Sequence, residues 1–302
     1  MKKILYNVGF FIIVSICLVL IALFPREAMV TGEGRAAKVV YTYDFSWKEY
    51  KNNITVFIEG LVRDTSFGET RYKKPVEEEV ILYFSRSLKI ILPAFLFSLA
   101  AGIVKGVFDY KNSLKRRKIF GNWTTWLLMS IPDFFVILLV QWIIIFYVNW
   151  IDIFGHEQWF NFFIPALLAA IYPAMYISKI TSGAISSEAG KQYVQVAKAK
   201  GFNEKLIIHQ HILRNCAGTI LNNVPTMMIY ILSNLLFLEY LLDYKGAAYR
   251  LWLALDFEPR IFIGRESFYE PSVIISFGIC FMAIVLFVQI CSHLLSKRLD
   301  PR

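Results

Sequence analysis

Residues 4–24 read ILYNVGFFIIVSICLVLIALF, an apolar run without a single charged side chain. A helix of about 20 apolar residues rises about 30 Å, which matches the hydrocarbon thickness of a bilayer. The run is longer than the apolar region of a signal peptide, and no small-residue cleavage site follows Phe24 and Pro25. Residues 1–24 are therefore predicted to form a transmembrane helix that the protein retains.

Five more stretches meet the same length requirement, so the fold class predicted is an all-α polytopic membrane protein with about six transmembrane helices. They lie near residues 87–108, 123–150, 161–180, 219–242 and 271–295. The stretch 123–150 is long enough to tilt or to break. The chain of 302 residues is 57% hydrophobic, which is more than a soluble core of this length hides in uninterrupted blocks.

The basic residues of the short loops predict the orientation, because loops rich in Lys and Arg stay in the cytoplasm. Such residues cluster at the N-terminus, after the second span, within residues 179–214 and in the C-terminal tail, whereas loop 151–160 has none. We therefore expect a multi-pass protein with both termini in the cytoplasm. The net charge of +9 follows from this topology and requires no nucleic-acid partner.

Residues 25–84 are a predicted extracytoplasmic segment, and residues 85–300 are the predicted membrane core. Two hydrophilic regions should carry what is specific to the protein: the segment 25–84 and a loop within the core. Within the first, apolar residues recur at helical spacing: Trp47, Tyr50, Ile54, Phe57, Ile58 and Leu61. A helix there has one apolar face, which either lies along the outer membrane surface or packs on the ends of the spans.

The second region, about 186–215, contains YVQVAKAKGFNEKLIIHQHILRN and is predicted to be a helical hairpin between two spans. Ser186 and Ser187 are candidates to cap its first helix. Gly201 is placed to end that helix in a left-handed conformation, and Asn203 to cap the next one. One face of the first helix is small and smooth: Ala189, Tyr193, Val196 and Ala197. Such a face suits a groove on another protein, and packing on the chain's own spans is the alternative.

The hairpin resembles the cytoplasmic EAA loop of permease subunits from binding-protein-dependent ABC importers. The similarity is greatest to the branch that transports dipeptides, oligopeptides and nickel, and it extends over nearly the whole chain. The matching hairpin residues are Tyr193, Val194, Ala197, Ala199, Lys200, Gly201, His211, Leu213, Arg214 and Asn215. Ser130-Ile131-Pro132, Glu239 before Gly246, and the ending Asp300-Pro301-Arg302 also resemble the family. The chain departs from the pattern at Gln195, where the general motif has Glu, and at Ser233-Asn234, where a Gly pair is common.

The resemblance implies that the hairpin is a coupling helix, which docks on a cytoplasmic ATPase between transmembrane helices 4 and 5. The residues implied in ATPase coupling are Tyr193, Val194, Ala197, Ala199, Lys200, Gly201, His211, Arg214 and Asn215. The resemblance places the chain in the bacterial cell membrane. The implied partners are membrane lipid, a second related permease subunit, two cytoplasmic ATP-binding subunits and an extracytoplasmic solute-binding protein. ATP and Mg²⁺ are expected on the ATPase subunits, and no cofactor is expected on this chain.

The implied function is to form half of the pathway of an ATP-driven importer for oligopeptides or dipeptides. An importer of nickel or other metal chelates is an alternative. A self-sufficient secondary carrier or channel is another, with the hairpin as internal packing. Such carriers commonly contain inverted repeats, and the sequence has no convincing repeat.

No catalytic or metal site is predicted, so we expect a non-catalytic subunit. Gly190-Lys191 lacks the Ser or Thr that would complete a phosphate loop, and His209 and His211 are two apart and point apart on a helix. Asp133 and Asn234 are candidates for lining the pathway. Asp133 alternatively stabilises a helix start, and Asn234 alternatively bonds to a neighbouring helix.

Overall fold

A computed structural model of the protein describes residues 2–25, 27–33, 36–42, 45–113, 122–148, 154–158, 160–255 and 269–299. The first part of the described chain contains α1 (Lys2–Ala22), β1 (Glu27–Glu33), β2 (Ala36–Thr42), α2 (Trp47–Arg63) and α3 (Val76–Ser113). The middle part contains α4 (Asn122–Ser130), α5 (Asp133–Tyr147), α6 (Phe163–Ala189), α7 (Gln192–Ala199) and α8 (Glu204–Leu206). A π-helical turn (Ile207–Ile212) leads into α9 (Leu213–Leu241), α10 (Ala247–Ala254) and α11 (Pro271–Leu299). The predicted match at Asp300-Pro301-Arg302 and the basic residues 115–118 lie outside the described residues.

Within the described chain, five helices are long and apolar enough to cross a membrane: α1, α3, α6, the helix Glu204–Leu241 and α11. The pair α4 and α5 passes the same test jointly but bends by 91° between Ser130 and Asp133. The predicted count of about six spans is confirmed if the pair is one span. Pro132 explains the break, because it has no backbone N–H and disfavours a helical conformation at the residue before it.

A short antiparallel hairpin follows α1, and the helical prediction did not contain it. Strands β1 and β2 pair from Glu27 opposite Thr42 to Glu33 opposite Ala36. The β2 sequence AAKVVYT is rich in β-branched and aromatic residues, which favour a strand over a helix. The all-α class therefore holds for the spans, and the segment after α1 adds a local β element.

The predicted helix in residues 25–84 is confirmed as α2. Ser46 caps its first turn, since its side chain accepts a hydrogen bond from the Glu49 backbone N–H. One face of α2 packs Tyr50, Ile54 and Phe57 against the core of a compact unit formed by residues 1–87 and 245–283. That core consists of Ala22, Leu23, Val76, Ala247, Ala254, Val273, Ile274, Ile275 and Phe277.

The same unit buries Arg250 completely between two carboxylates. Its Nε donates to Glu79 Oε2 at 2.7 Å, and its two terminal nitrogens donate to Glu270 at 2.8 and 2.9 Å. Burial alone would lower the pKa of Arg250, but the hydrogen bonds and charges of Glu270 and Glu79 outweigh it and raise the pKa above its ordinary value. The planar guanidinium thereby joins α10 to the start of α3 and to the residue that precedes α11.

A second compact unit comprises residues 88–244 and 284–302, and in it α6 packs along α9. Two glycines let α3 approach α6 closely. A Cβ atom added to Gly102 would lie 2.8 Å from the Ala174 carbonyl oxygen, and one added to Gly106 would lie 2.7 Å from that of Ser178. Small residues at a crossing are the usual means by which membrane helices come into close contact.

A buried carboxylate lies at the same crossing. Asp109 is 1% exposed and accepts hydrogen bonds from the Thr125 hydroxyl at 2.6 Å and the Ser178 hydroxyl at 2.9 Å. It also forms an ion pair with Lys105, one helical turn away. A charge in this position is tolerated because it is paired and hydrogen-bonded, and its partners tie together α3, α4 and α6.

Candidate functional site

The hairpin 186–215 begins later than predicted. Ser186 and Ser187 do not cap its first helix, because α6 continues through both of them to Ala189. Their hydroxyls donate back to the carbonyls of Ser182 and Ala184 in the same helix, which is a common alternative to capping. The chain then becomes extended at Lys191, and α7 starts at Gln192 without a side-chain cap.

Gly201 makes the turn that the sequence predicted. Its φ is +78°, in the left-handed region that only glycine enters without strain. The Gly201 N–H donates to the Lys198 carbonyl at 3.0 Å, and the Phe202 N–H donates to that of Ala197 at 3.3 Å. These two bonds define a Schellman ending of α7. The Asn203 cap is also confirmed, because its side chain accepts a hydrogen bond from the Lys205 backbone N–H.

The return arm of the hairpin contains a π-helical turn over Ile207–Ile212. No pattern in the sequence predicted this change of helix type. Ile207, Ile208 and Ile212 are all buried, whereas His209 is exposed. The wider π-helical spacing places these three isoleucines on the buried side of the arm. Single π-helical turns of this kind are frequent at functional sites.

Helix α7 has an inward and an outward face. Val194 and Ala197, two residues implied in coupling, are buried and fix α7 to the chain itself. The opposite face is exposed and consists of Gln192, Gln195, Val196 and Ala199. The predicted smooth face is therefore divided between the two sides, and Ala189 belongs to α6 instead.

Apolar side chains continue the outward face across the turn. Val196 is 54% exposed, Phe202 is 46% exposed and Leu206 is 37% exposed. Lys198, Lys200 and Lys205 are exposed around them. A compact apolar strip rimmed by cations is an arrangement suited to contact with another protein.

A polar network holds α7 to the two neighbouring spans. The Tyr193 hydroxyl donates to Glu188 Oε2 at 2.9 Å, and the Asn215 side chain hydrogen-bonds to the same hydroxyl. Glu188 also forms an ion pair with Lys191. Burial and the Glu188 carboxylate raise the pKa of Tyr193, so the hydroxyl stays protonated at neutral pH and keeps donating. The network joins the end of α6, α7 and the start of α9.

The remaining implied coupling residues are close to the turn. Lys200 is the C-cap of α7, and Arg214 is exposed in the first turn of α9. The His211 ring contacts the Phe202 ring across the hairpin, with 6.1 Å between centroids. Among the residues that the structure describes, no group of three or more His, Cys, Asp or Glu side chains is arranged to hold a metal ion.

The two predicted pathway residues occupy different environments. Asp133 is the first residue of α5, where its carboxylate accepts a hydrogen bond from the Phe134 N–H at 2.9 Å. This is the helix-start environment that favours an anion. Asn234 is 2% exposed in α9, so its side chain is enclosed by the chain itself.

A half-buried strip of aromatic and polar side chains runs between α6 and α9. The Tyr176 hydroxyl donates to Asn223 Oδ1 at 2.8 Å. The Tyr230 ring lies edge-on to the rings of Tyr172 and Tyr176, with centroid distances of 5.1 Å to each. These tyrosines were not among the residues predicted from the sequence, although Tyr172 and Tyr176 are one helical turn apart and share a face.

Comparisons with known proteins give relatives in peptide transport. The chain is 20% identical over 287 residues to the dipeptide transport system permease protein DppB of Alkalihalophilus pseudofirmus, with 85% of this chain and 81% of that protein covered. It is 20% identical over 248 residues to the oligopeptide transport system permease protein AppB of Bacillus subtilis, covering 78% and 75% of the two chains. The glutathione transport system permease protein GsiC of Pectobacterium atrosepticum is 24% identical over 178 residues, and this match spans only 57% of its length and 58% of this chain.

A solved structure with a similar fold is the MetNI methionine ABC transporter in an inward-facing conformation. The TM-score is 0.57 at 13% identity, and the match covers 73% of this chain and 96% of that one. Residues 87–302 match the family model described as "Binding-protein-dependent transport system inner membrane component". This region includes the α7 hairpin and the spans around it. The chain therefore belongs to the family of inner membrane components of binding-protein-dependent transport systems.

Proposed function

We propose that this chain is the permease subunit of an ATP-driven importer and forms half of the translocation pathway. The observation that carries the proposal is the hairpin, whose outward apolar strip is held rigidly to two spans. Val194 and Ala197 anchor α7 from inside, and Gly201 sets the direction of its exit. Movement imposed on the outward strip would therefore reach α6 and α9 through the Tyr193 network.

The proposed assembly contains a second related permease subunit, two cytoplasmic ATPase subunits that bind ATP and Mg²⁺, and an extracytoplasmic solute-binding protein. Both termini and the hairpin lie in the cytoplasm in this proposal, as the distribution of basic residues favours. ATP hydrolysis then takes place entirely on the separate subunits. The outward strip of α7 is the ATPase-docking surface, and its lysine rim steers association with acidic groups on the ATPase.

We propose short peptides as the substrate, either oligopeptides or dipeptides. The DppB and AppB relatives, a dipeptide and an oligopeptide transport system permease protein, support this class. The strip of Tyr172, Tyr176, Asn223 and Tyr230 supports it as well, because hydroxyl and amide groups can exchange hydrogen bonds with a peptide backbone. Asp133, at the start of α5, is proposed to line the pathway as well.

The turn at Gly201 provides a direct test. Gly201→Val forces a β-branched residue into φ +78°, which costs about 1–3 kcal/mol and would rotate or loosen α7. If this cost weakens the binding of the ATPase by the same free energy, we expect uptake and ATPase co-purification to fall about 5- to 150-fold while the spans remain inserted. The measurement is substrate uptake in cells, together with recovery of the ATPase after detergent purification.

Gly190→Val is the matched control for this experiment. Gly190 and Gly201 both have open space where a Cβ atom would go, but Gly190 has an ordinary φ of −84°. The control should therefore retain uptake and the ATPase. Normal uptake by a well-inserted Gly201→Val protein would contradict the proposal, and transport by the purified chain alone would favour a carrier.

Val196 tests the outward strip separately. Val196→Asp places a carboxylate at the centre of the proposed interface, where burying it without a partner is costly. We expect the ATPase to be lost during purification, whereas Val196→Thr keeps the shape and should retain most of it. Because Val196 is 54% exposed, neither change should alter the stability of the isolated chain. Equal ATPase recovery from both variants would exclude this strip as the docking surface.

A further inference from the structure

Helix α2 carries more apolar surface than its own unit covers. Tyr50, Ile54 and Phe57 pack on the core, but a neighbouring strip of the helix remains open. In this strip Trp47 is 74% exposed, Ile58 is 51% exposed and Val62 is 72% exposed. At 100° per residue, Ile58 and Val62 lie only about 20° and 60° around the helix axis from Trp47, so the three lie on one side of the helix, called the stripe below.

The stripe begins beside the end of a membrane span. The Tyr50 hydroxyl donates to the Leu20 carbonyl at 2.8 Å, and the Asn53 side chain donates to the Leu23 carbonyl at 3.4 Å. Leu20 belongs to the last turn of α1, whose apolar span ends at Ala22. The start of α2 is therefore fixed at the depth where the hydrocarbon gives way to headgroups.

Aromatic rings connect the two helices at this depth. Phe24 stacks on Phe45 with 5.2 Å between centroids, and Phe45 contacts Trp47 edge-on at 5.0 Å. Phe24 is 39% exposed, and Ile21 on α1 is 64% exposed, so the lipid-facing surface of α1 continues into the stripe. Trp and Tyr side chains are enriched at this level of a membrane because their rings have both an apolar and a polar part.

The charges around the stripe fit a lipid surface. Lys51 lies about 40° from Trp47, on the stripe itself, whereas Lys48 and the exposed Glu59 lie about 100° and 120° away at its border. Both lysines are exposed. Their apolar stems can cover lipid while the ammonium groups reach the phosphates, as amphipathic interfacial helices commonly do.

We propose that α2 is an interfacial helix whose stripe Trp47, Ile58 and Val62 is immersed in the phospholipid of the leaflet in which α1 ends. The helix is thus attached on two sides, by Tyr50, Ile54 and Phe57 to the protein core and by the stripe to the bilayer. Contact with lipid keeps α2 against the end of α1 while leaving its polar side in water. This assignment does not depend on the transport function.

Site-specific fluorescence in lipid nanodiscs tests the proposal. In a full-length background with Cys17, Cys216, Cys280 and Cys291 replaced by serine, an environment-sensitive dye is attached at Ile58→Cys, Val62→Cys and Val56→Cys. Val56 is the matched control, since it is also an exposed valine of α2, at 60%, but lies about 180° around from Trp47. A dye at Ile21→Cys on α1 gives the reference for direct lipid contact.

We expect lipid-attached quenchers to reduce emission at positions 58 and 62 by at least half of the reduction seen at position 21, with a blue-shifted spectrum. Position 56 should instead respond to a water-soluble quencher. Two results would overturn the proposal. One is accessibility of positions 58 and 62 to the water-soluble quencher to the same extent as position 56. The other is protection from both quenchers, which would mean that another protein chain covers the stripe.

Discussion

Gly106→Leu is expected to prevent α3 from packing against α6, with loss of the folded protein in detergent. The first atom of any side chain at this position would lie 2.7 Å from the Ser178 carbonyl oxygen and would overlap the Thr181 side chain. A backbone oxygen in the middle of a helix cannot move aside without displacing the whole helix. Even Gly106→Ala should cost about 1–3 kcal/mol by overpacking, and leucine adds three more carbons at the same point.

The same crossing holds the paired charge of Asp109, which increases the effect. Separating α3 from α6 removes the Ser178 hydroxyl from the carboxylate and exposes a charged pair to the lipid. Insertion of the spans does not require this contact, so the variant should still be found in the membrane fraction. Size-exclusion chromatography of a fluorescent fusion and the thermal midpoint in detergent are the measurements.

Gly183→Leu is the control for this prediction. Gly183 is an exposed glycine of α6 with nothing within 4 Å of the position of its Cβ atom. Leucine should be neutral or slightly stabilising there, because it favours a helix more than glycine does. A monodisperse Gly106→Leu protein with an unchanged thermal midpoint would show that the two helices do not depend on this close approach.

The spans and the turn were predictable because the responsible physics is local. Length and hydropathy identify a membrane helix without knowledge of its neighbours. Gly201 and Asn203 likewise act through their own backbone conformation and their own side chain. These features require no information from distant parts of the chain.

Features that depend on distant residues could not be predicted from local patterns. Glu79, Arg250 and Glu270 come from three separate parts of the chain, and the residues around each of them do not indicate which partners it contacts. The close crossing of α3 and α6 did have a signal, since Gly102 and Gly106 form a G-x-x-x-G pattern in an apolar helix.

The faces of α7 show why the docking surface was only partly predicted. The helix has eight residues, and apolar side chains occur on two sides of it, so periodicity alone does not say which side meets the protein. Burial of Val194 and Ala197 decides the question and leaves Val196 and Ala199 outward. The helix start was displaced for a different reason, because the Ser186 and Ser187 hydroxyls bond back to carbonyls of α6 and do not cap the next helix.

Arg250→Met should be the most destabilising change in the unit formed by residues 1–87 and 245–283. The substitution removes the guanidinium that contacts both Glu79 and Glu270 at 2.7 to 2.9 Å, and the ion pair of Glu270 with Arg71 is longer, at 3.6 Å. Deleting one partner of a buried pair commonly costs about 3–5 kcal/mol, because the remaining charge stays desolvated. The thermal midpoint of the purified protein should therefore fall strongly. Arg250→Lys should be intermediate, since it keeps the charge but loses the planar fork that contacts both carboxylates.

A variant that removes the charges of Arg250, Glu79 and Glu270 together distinguishes the electrostatic cost of losing the arginine from the cost of losing its shape. In Arg250→Met with Glu79→Gln and Glu270→Gln both carboxylates are neutral and only Arg71, whose side chain is 20% exposed, loses its ion pair with Glu270, so most of the lost stability should return. Recovery would identify the cost of Arg250→Met as electrostatic. An equally unstable combined variant would place the cost in the lost shape of the arginine, and a fully stable Arg250→Met would contradict the prediction. We expect the combined variant to recover the stability incompletely, because it does not replace the cation–π contact of Arg250 with the Tyr72 ring, at 5.6 Å. The Arg71 contact with the same ring, at 4.9 Å, remains.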